Sequence, residues 1–135
     1  MPPPPPSKRS KYGAEATTVD DIRFDSKREA ARYNVLKIRM KAGDIRRLKL
    51  QPRYALCALI IEHGDVRDIN AGCNSARRHP IAEYIADFEY EESDRGYGGI
   101  TWTLVVEDCK GAKTDIYKLK KRWFQAQYGV TIRET

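Results

Sequence analysis

Apolar positions recur with two different periods along the chain, and the longer period predicts a helix near its start. Ser26 and Glu29 have the spacing of a capping box, which favours the beginning of a helix at Ser26. Apolar residues then recur at helical spacing from Tyr33 to Met40, and Glu29 shares their inward face. Gly43 stands where a helix commonly ends on a left-handed glycine. We therefore predict one helix between Ser26 and Gly43.

The rest of the chain alternates apolar runs with turn residues, and these runs predict strands and one further helix. Residues 62–80 are predicted to be a basic loop, and residues 114–127 a helix with one apolar and one basic face that ends at Gly129. The predicted strands are residues 54–61 (buried), 83–90, 100–109 and 130–133, with a connection or short strand over 45–51. This order predicts an α/β sandwich whose middle strands form a hairpin and whose second helix crosses to the last strand.

The length of 135 residues fits one domain preceded by a tail. Residues 1–18 are predicted to be a disordered arm, because five consecutive prolines exclude helix and central strand. Lys8, Arg9 and Lys11 make this arm basic, which suits either contact with a nucleic-acid backbone or simple solvation. Residues 19–135 are predicted to form the domain.

Charge and cysteine content narrow the classes of function. The net charge of +6 and the pI near 9.3 fit a polyanionic partner such as DNA. Cys57, Cys73 and Cys109 are odd in number and lack zinc-site spacing, which argues against a disulfide framework and structural zinc. The longest apolar run, residues 55–61, is too short to cross a bilayer, and the N-terminus lacks the apolar stretch of a signal peptide. We expect a cytoplasmic protein without a membrane partner.

Two acidic residues interrupt otherwise apolar strands. Asp87 lies within residues 84–88, and Asp108 lies within residues 105–111, where a bare charge is costly to bury. Alternation along the strand places Asp108 and Lys110 on one face, with Glu107 and Cys109 on the other. Two carboxylates on neighbouring strands repel each other unless a cation lies between them. The pattern indicates a cation site, although a salt bridge at a sheet edge also explains it.

Five segments give the chain a resemblance to a known superfamily. They are FDSKREAARY, the LQPRY that follows Gly43, YIADFEY, VVEDCKG and the closing helix with YGVTIRE. In order and spacing they resemble the PD-(D/E)xK nucleases, and more closely the small phage-encoded endonuclease-like proteins related to Holliday junction resolvases. The resemblance covers roughly residues 22–134. It implies a restriction-endonuclease-like core with a central mixed sheet flanked by helices.

The resemblance also implies an active site. Asp87 matches the first acid, Asp108 the second acid and Lys110 the lysine of the signature, while the backbone carbonyl of Cys109 completes the metal site. Glu29 matches an upstream acid that joins the metal ligands and catalytic residues in many members. The implied cofactor is Mg²⁺ or Mn²⁺, bound by hard oxygen ligands.

Three assignments stay open at this stage. Ala86 stands where the superfamily usually has proline, and a bulge in the strand would make Glu107 rather than Asp108 the second acid. Glu29 is explained equally by the capping box, since carboxylates favour the first turn of any helix. Gln51 is also matched in the family, but a turn residue before Pro52 accounts for it as well.

The expected function is hydrolysis of phosphodiester bonds in DNA by a metal-dependent endonuclease in phage replication, recombination or packaging, with selectivity for branched over plain duplex DNA left open. A phage-encoded enzyme of this kind would act in the host cytoplasm on duplex or branched DNA, and a homodimer is left open. The alternatives are a non-catalytic DNA-binding accessory protein on the same fold and a subunit that needs a partner for activity. The residues expected to contact DNA phosphates are Lys118, Lys120, Lys121, Arg122, Arg77 and Arg78.

Overall fold

A mixed four-stranded sheet forms the centre of the protein, in the order β3-β6-β7-β8. The computed structural model describes residues 15–60, 77–109 and 112–135. The elements are β1 (Thr17–Val19), β2 (Ile22–Phe24), α1 (Lys27–Ala42), β3 (Ile45–Leu50), β4 (Arg53–Ile60), β5 (Arg77–Ile85), β6 (Phe88–Gly96), β7 (Gly99–Asp108), α2 (Asp115–Tyr128) and β8 (Ile132–Glu134). The predicted α/β class with a central mixed sheet is confirmed.

Helix α1 begins and ends where the sequence predicts. The Ser26 hydroxyl accepts a hydrogen bond from the Glu29 N–H at 3.2 Å, and Gly43 adopts the left-handed conformation with φ of 79°. Tyr33 and Leu36 are buried against the sheet. Met40, predicted to share their inward face, is 43% exposed, so that part of the prediction is wrong. The buried residues of the helix are Ala30, Tyr33 and Leu36, which form a narrow stripe.

Strands β3–β4 and β5–β6 form one long antiparallel ribbon that bends in its middle. Leu50 faces Phe88 in the central sheet, and Arg53 faces Ile85 in the separate β4–β5 pair. Between them the Gln51 N–H donates to the Asp87 carbonyl at 2.9 Å, and the Ala86 N–H donates to the Pro52 carbonyl at 3.2 Å. The register therefore continues through the bend, where Gln51 has a φ of 47°.

The bend corrects two predictions about strands. The single strand expected over 83–90 is divided, because β5 ends at Ile85 and β6 begins at Phe88. Residues 77–80 were expected in a loop but belong to β5, where Pro80 lies at a shift of register beside Cys57 and need not donate a ladder hydrogen bond. Residues 62–76, the rest of the predicted loop, lie outside the described residues.

Strand β4 is only half-buried, contrary to the fully buried strand expected over 54–61. Leu56 is completely buried, whereas Leu59 is 63% exposed. The two-stranded pair is covered on one face by α2, where Leu56 belongs to the same core cluster as Phe124. A single covering layer leaves the alternate side chains of β4 in water.

Helix α2 crosses from β7 to the parallel strand β8, as predicted, with Thr114 as its N-cap and left-handed Gly129 at its end. It also binds the backbone of β4 through its side chains. Gln127 accepts a hydrogen bond from the Cys57 N–H at 2.8 Å and donates to the Ala55 carbonyl at 2.9 Å. Trp123 donates to the Cys57 carbonyl at 3.2 Å. The Gln127 amide thus takes the place of a neighbouring strand.

The two helices cover opposite faces of β7. Val105 and Cys109 belong to the core cluster beneath α1, and Val106 belongs to the cluster beneath α2. The predicted alternation along this strand is therefore confirmed. In the described part of the chain no helix is long and apolar enough to cross a membrane. Strand β1 includes residues 17 and 18, which were assigned to the arm, and the structure describes nothing before residue 15.

We expect Gln127→Ala to lower the free energy of unfolding by about 1–2 kcal/mol, because it leaves backbone groups of β4 without this partner. The measurement is chemical denaturation followed by circular dichroism. Lys118→Ala, an exposed substitution on the same helix, serves as the control and should change the stability by less than about 0.5 kcal/mol. Equal stability of the two variants would contradict the role given to Gln127.

Candidate active site

Asp87 lies at the bend of the ribbon and reaches the end of β7. Its Oδ2 accepts a hydrogen bond of 2.6 Å from the N–H of Cys109, the residue directly after Asp108. The Asp87 N–H in turn donates to the Glu107 carbonyl at 3.1 Å. Because the bend fixes the backbone of Asp87 from both sides, its carboxylate is held against the peptide that links Asp108 to Cys109.

Asp108 is fully buried on the face of β7 covered by α2. Its Oδ2 accepts a hydrogen bond of 2.6 Å from the Tyr84 hydroxyl. Burial raises the pKa of Tyr84, and the hydrogen bond to Asp108 and the charges of Asp108 and Asp87 raise it further. Burial also raises the pKa of Tyr117, with the charge of Asp108 adding to the effect. Both tyrosines therefore remain protonated, and Tyr84 lies within electrostatic reach of both aspartates.

Glu107 is also fully buried, but on the opposite face, and its carboxylate is saturated with hydrogen bonds. Arg32 binds both oxygens, at 2.5 Å through Nε and 2.9 Å through Nη2. The hydroxyls of Tyr90 and Thr135 add bonds of 2.7 and 3.1 Å. Burial alone would raise the pKa of Glu107, but the bonds from Arg32 and Tyr90 outweigh it and lower the pKa below 4.5.

The surroundings of Glu107 help to decide whether Glu107 or Asp108 matches the second acid of the PD-(D/E)xK signature. The alternative of Glu107 required a bulge in β7, yet β7 pairs with β6 and β8 without any shift of register from Gly99 to Asp108. Four hydrogen bonds also occupy the lone pairs of Glu107 that a metal ion would need. Both observations favour Asp108.

Glu29 serves the helix cap and also lies near the acidic cluster. Its side chain accepts a hydrogen bond from the Ser26 hydroxyl at 3.0 Å, whereas the reciprocal bond of a capping box runs to the backbone N–H of the N-cap residue. Burial raises the pKa of Cys109 to about 11, and the charges of Asp87, Glu107 and Glu29 contribute to this rise. The capping role and the position near the site are therefore compatible.

The oxygen donors here suit a hard cation, although they do not form a complete protein cage. Magnesium is commonly held by one or two carboxylates together with water and substrate phosphate, and Asp87 and Asp108 supply two carboxylates next to the Cys109 peptide. Within the described ranges, no three His, Cys, Asp or Glu side chains form a group that could hold a metal ion by themselves. Lys110 lies outside the described residues. The donor chemistry fits Mg²⁺ or Mn²⁺ through the two aspartates.

The predicted DNA-contacting residues do not form one free basic face. Lys120 donates to the Glu83 carbonyl at 2.8 Å, and Lys121 pairs with Glu134 at 2.5 Å. Lys118 pairs weakly with Asp115, 3.4 Å away, and Arg122 is exposed. Arg78 is exposed on β5 rather than in a loop, and Arg77 begins that strand.

Sequence reasoning missed the side chains that hold the acids in place. Arg32, Tyr84 and Tyr90 all lie inside segments that carry the family resemblance, but pairing Arg32 with Glu107 requires a contact across 75 positions. One signal was available for Arg32, which lies one turn after Glu29 on the helix and so near its inward face. Local periodicity contains no information on the other partners.

We expect Arg32→Met to lower the free energy of unfolding by about 3 kcal/mol at neutral pH, because it leaves a buried carboxylate without its cation. Arg47→Met is the matched control, since Arg47 pairs with Glu91 in water, and should cost less than about 0.5 kcal/mol. Urea denaturation of both variants measures the difference.

The pH dependence of the same comparison provides a second test. The lowered pKa of Glu107 means that its ion pair stabilises the wild type above pH 4.5 and that this contribution is lost as the pH falls through the lowered value. The stability gap between wild type and Arg32→Met should therefore narrow below pH 4.5. A gap that stays constant with pH would show that Arg32 acts through packing alone.

Comparison with known proteins places the chain in a family. Searches of curated proteins and of solved structures find no match. A family model described as "Protein of unknown function (DUF1064)" matches residues 9–134, which include both helices and every strand described above. The chain therefore belongs to the DUF1064 family.

Proposed function

We propose that this protein is a metal-dependent endonuclease that hydrolyses phosphodiester bonds in DNA. The observation that carries the proposal is the contact between the Asp87 carboxylate and the Cys109 N–H, 2.6 Å apart, which joins the bend of the ribbon to the end of β7 beside Asp108. Asp87 is partly buried and Asp108 is fully buried, and two carboxylates at the same end of β7 favour a bound cation. The family resemblance of the surrounding segments agrees with this chemistry, and a cytoplasmic location follows from the proposed substrate.

Asp87 and Asp108 are the residues that would hold the metal, with the Cys109 carbonyl next to them. When bound, Mg²⁺ or Mn²⁺ supplies Lewis-acid chemistry, since it withdraws charge from phosphate oxygens and makes water more acidic. Tyr84 donates to Asp108 and so holds that carboxylate in one orientation. Lys110, assigned from the sequence alone, would stabilise the negative charge that develops on the phosphate.

Glu107 and Arg32 support the site without entering it. Their ion pair fixes the backbone of β7 one residue before Asp108, and the Glu107 carbonyl accepts the Asp87 N–H. Such supporting contacts keep reacting groups in their productive geometry. Arg78 and Arg122 are both exposed, and we expect them to contact the DNA backbone without reading its sequence.

A second candidate is a DNA-binding accessory protein without catalysis. The observation in its favour is that residues 15–60, 77–109 and 112–135 contain no group of three ligating side chains. It needs the basic surface but not the pairing of Asp87 with Asp108. The two candidates are separated by incubating labelled linear, nicked, flapped and four-way DNAs with Mg²⁺ or Mn²⁺ and recording binding and cleavage separately.

We expect Asp87→Asn and Asp108→Asn each to lower the cleavage rate by about a thousandfold, the order of effect of losing one charge-stabilising group. DNA binding should stay equal or become tighter, because a negative charge near the phosphate is removed. Asp94→Asn is the matched control, since Asp94 is an exposed acid at the far end of β6, and it should retain full activity. Full activity of the Asp108 variant would refute the site, and binding without cleavage by the wild type would favour the accessory protein.

Glu29→Gln distinguishes the helix cap from the active site. Glutamine also serves at this position of a capping box, so the melting temperature should change little. We expect a loss of activity of about ten- to a hundredfold, the effect of removing a group that orients metal ligands. Ser26→Ala is the complementary control, because it weakens the cap by about 1 kcal/mol and keeps the carboxylate. A fully active Glu29→Gln variant would assign Glu29 to the cap alone.

A further inference from the structure

The outer edge of β7 is open along most of its length within the described structure. Strand β7 pairs with β6 from Gly99 to Glu107, but with β8 only from Val106 to Asp108. The segment Gly99–Val105 therefore has a neighbour on one side alone among residues 15–60, 77–109 and 112–135. A groove of about 670 Å³ runs beside it, lined by residues 103–105 and 129–133. A groove next to an unpaired strand edge is a place where another strand fits.

The other strand edges are protected against such pairing. Strand β3 carries Arg46, Arg47 and Lys49 and a shift of register, and charges and bulges are common defences of an edge. Strand β8 has only three residues. The side chains of Trp123 and Gln127 bind the backbone of β4.

Strand β5 is protected in the same way. It contains Pro80 and several charged residues, and Lys120 binds the carbonyl of Glu83. Proline and charge both disfavour the addition of a strand. Among the described edges of β3, β4, β5, β7 and β8, the edge of β7 is therefore the one without such protection.

The open segment of β7 has none of these defences. Residues 99–105, GITWTLV, contain no charge and no proline. Ile100 is 60% exposed and Leu104 is 45% exposed. The ring of Trp102 and the guanidinium of Arg46 stack on each other, 4.1 Å from ring centroid to Cζ. Arg46 belongs to β3, which lies on the far side of β6 from the open edge. The largest side chain of the segment is thus turned away from the edge, and the backbone stays accessible.

We propose that a second copy of this chain pairs with the open edge of β7, antiparallel and with a two-fold axis at Trp102. The argument for this occupant is the sequence Ile-Thr-Trp-Thr-Leu over residues 100–104, which reads nearly the same in both directions. Antiparallel pairing about Trp102 places Ile100 opposite Leu104 and Thr101 opposite Thr103 of the second copy. Apolar and threonine cross-strand pairs both stabilise a sheet.

The symmetric pairing joins two four-stranded sheets into one of eight strands. An isologous contact of this kind uses the same patch on both copies and closes at a dimer rather than continuing into a fibre. The groove beside residues 103–105 provides room for the incoming strand, whose ends then lie near Gly129 and Val130. This inference is independent of the proposed nuclease activity.

The first experiment compares oligomeric state by sedimentation velocity over a range of concentrations. We expect a dimer for the wild type and a dissociation constant raised about a hundredfold or more in Ile100→Lys, since each dimer then places two charges at the paired edge. Ile38→Lys is the matched control, because Ile38 is 68% exposed on α1, and it should remain dimeric. Melting temperatures at concentrations below the dimer range verify that both variants fold.

The second experiment tests the register. Under mild oxidation Trp102→Cys should form a disulfide between copies, because residues on the two-fold axis face each other at bonding distance. Thr103→Cys is the control and should crosslink far less, because residue 103 of one copy lies diagonally across from residue 103 of the other. Mass spectrometry identifies the linked peptide, because the chain has three native cysteines.

The proposal is overturned by a wild type that stays monomeric at every soluble concentration. A dimer that persists in Ile100→Lys, or one that is lost in Ile38→Lys instead, also overturns it, because either result places the contact on another surface. A chain that dimerises only after residues 1–14 are deleted also overturns the proposal, because its own arm and not a second copy would then cover the edge.

Discussion

A buried carboxylate is stable only when other groups compensate its charge. The side chains that compensate Glu107 come from several elements and connect most of the molecule. Arg32 reaches it from α1, Tyr90 from β6 and Thr135 from beyond β8. Tyr90 also accepts a hydrogen bond from Arg133, which pairs with Glu92, and Glu92 pairs with Arg39 of α1. Helix, sheet and C-terminal strand are thereby fixed to one another by a single charge network. The acids proposed for catalysis lie next to this network, so their positions depend on its integrity.

The local signals in the sequence predicted both helices, their caps and the alternation along β7, because each depends on residues within one or two turns or on neighbouring positions of a strand. They failed where a distant partner decides the outcome. The strand expected over 83–90 divides at Asp87 because Gln51 and Pro52 bind the opposite side of the ribbon. Residues 77–80 form a strand because β4 pairs with them. Secondary-structure propensity depends on nearby residues and therefore cannot predict these distant partners. The charge of Arg32 likewise does not show whether its side chain binds Glu107 or water.

The residues of the candidate site divide in the same way, into those that local sequence signals predicted and those that depend on distant partners. Asp87 and Asp108 were predicted from the cost of charge in apolar strands, and they do converge at the end of β7. The side chains around them, above all Tyr84, were not predicted, since a tyrosine in an alternating strand usually only fills the core. The two faces of β7 give its neighbouring acids different environments, an arginine for Glu107 and tyrosines for Asp108. One short segment thereby contains a structural acid and a candidate catalytic acid side by side.

The hydrogen bond from the Cys109 N–H to Asp87 also makes that amide proton a natural reporter. Two contacts that support the fold span large separations in sequence, 75 positions for Arg32 with Glu107 and 70 for Cys57 with Gln127. Contacts of this kind are slow to form, whereas α1, with its local caps, is able to form early. The exchange rate of this one backbone proton with solvent therefore records how often the assembled site opens.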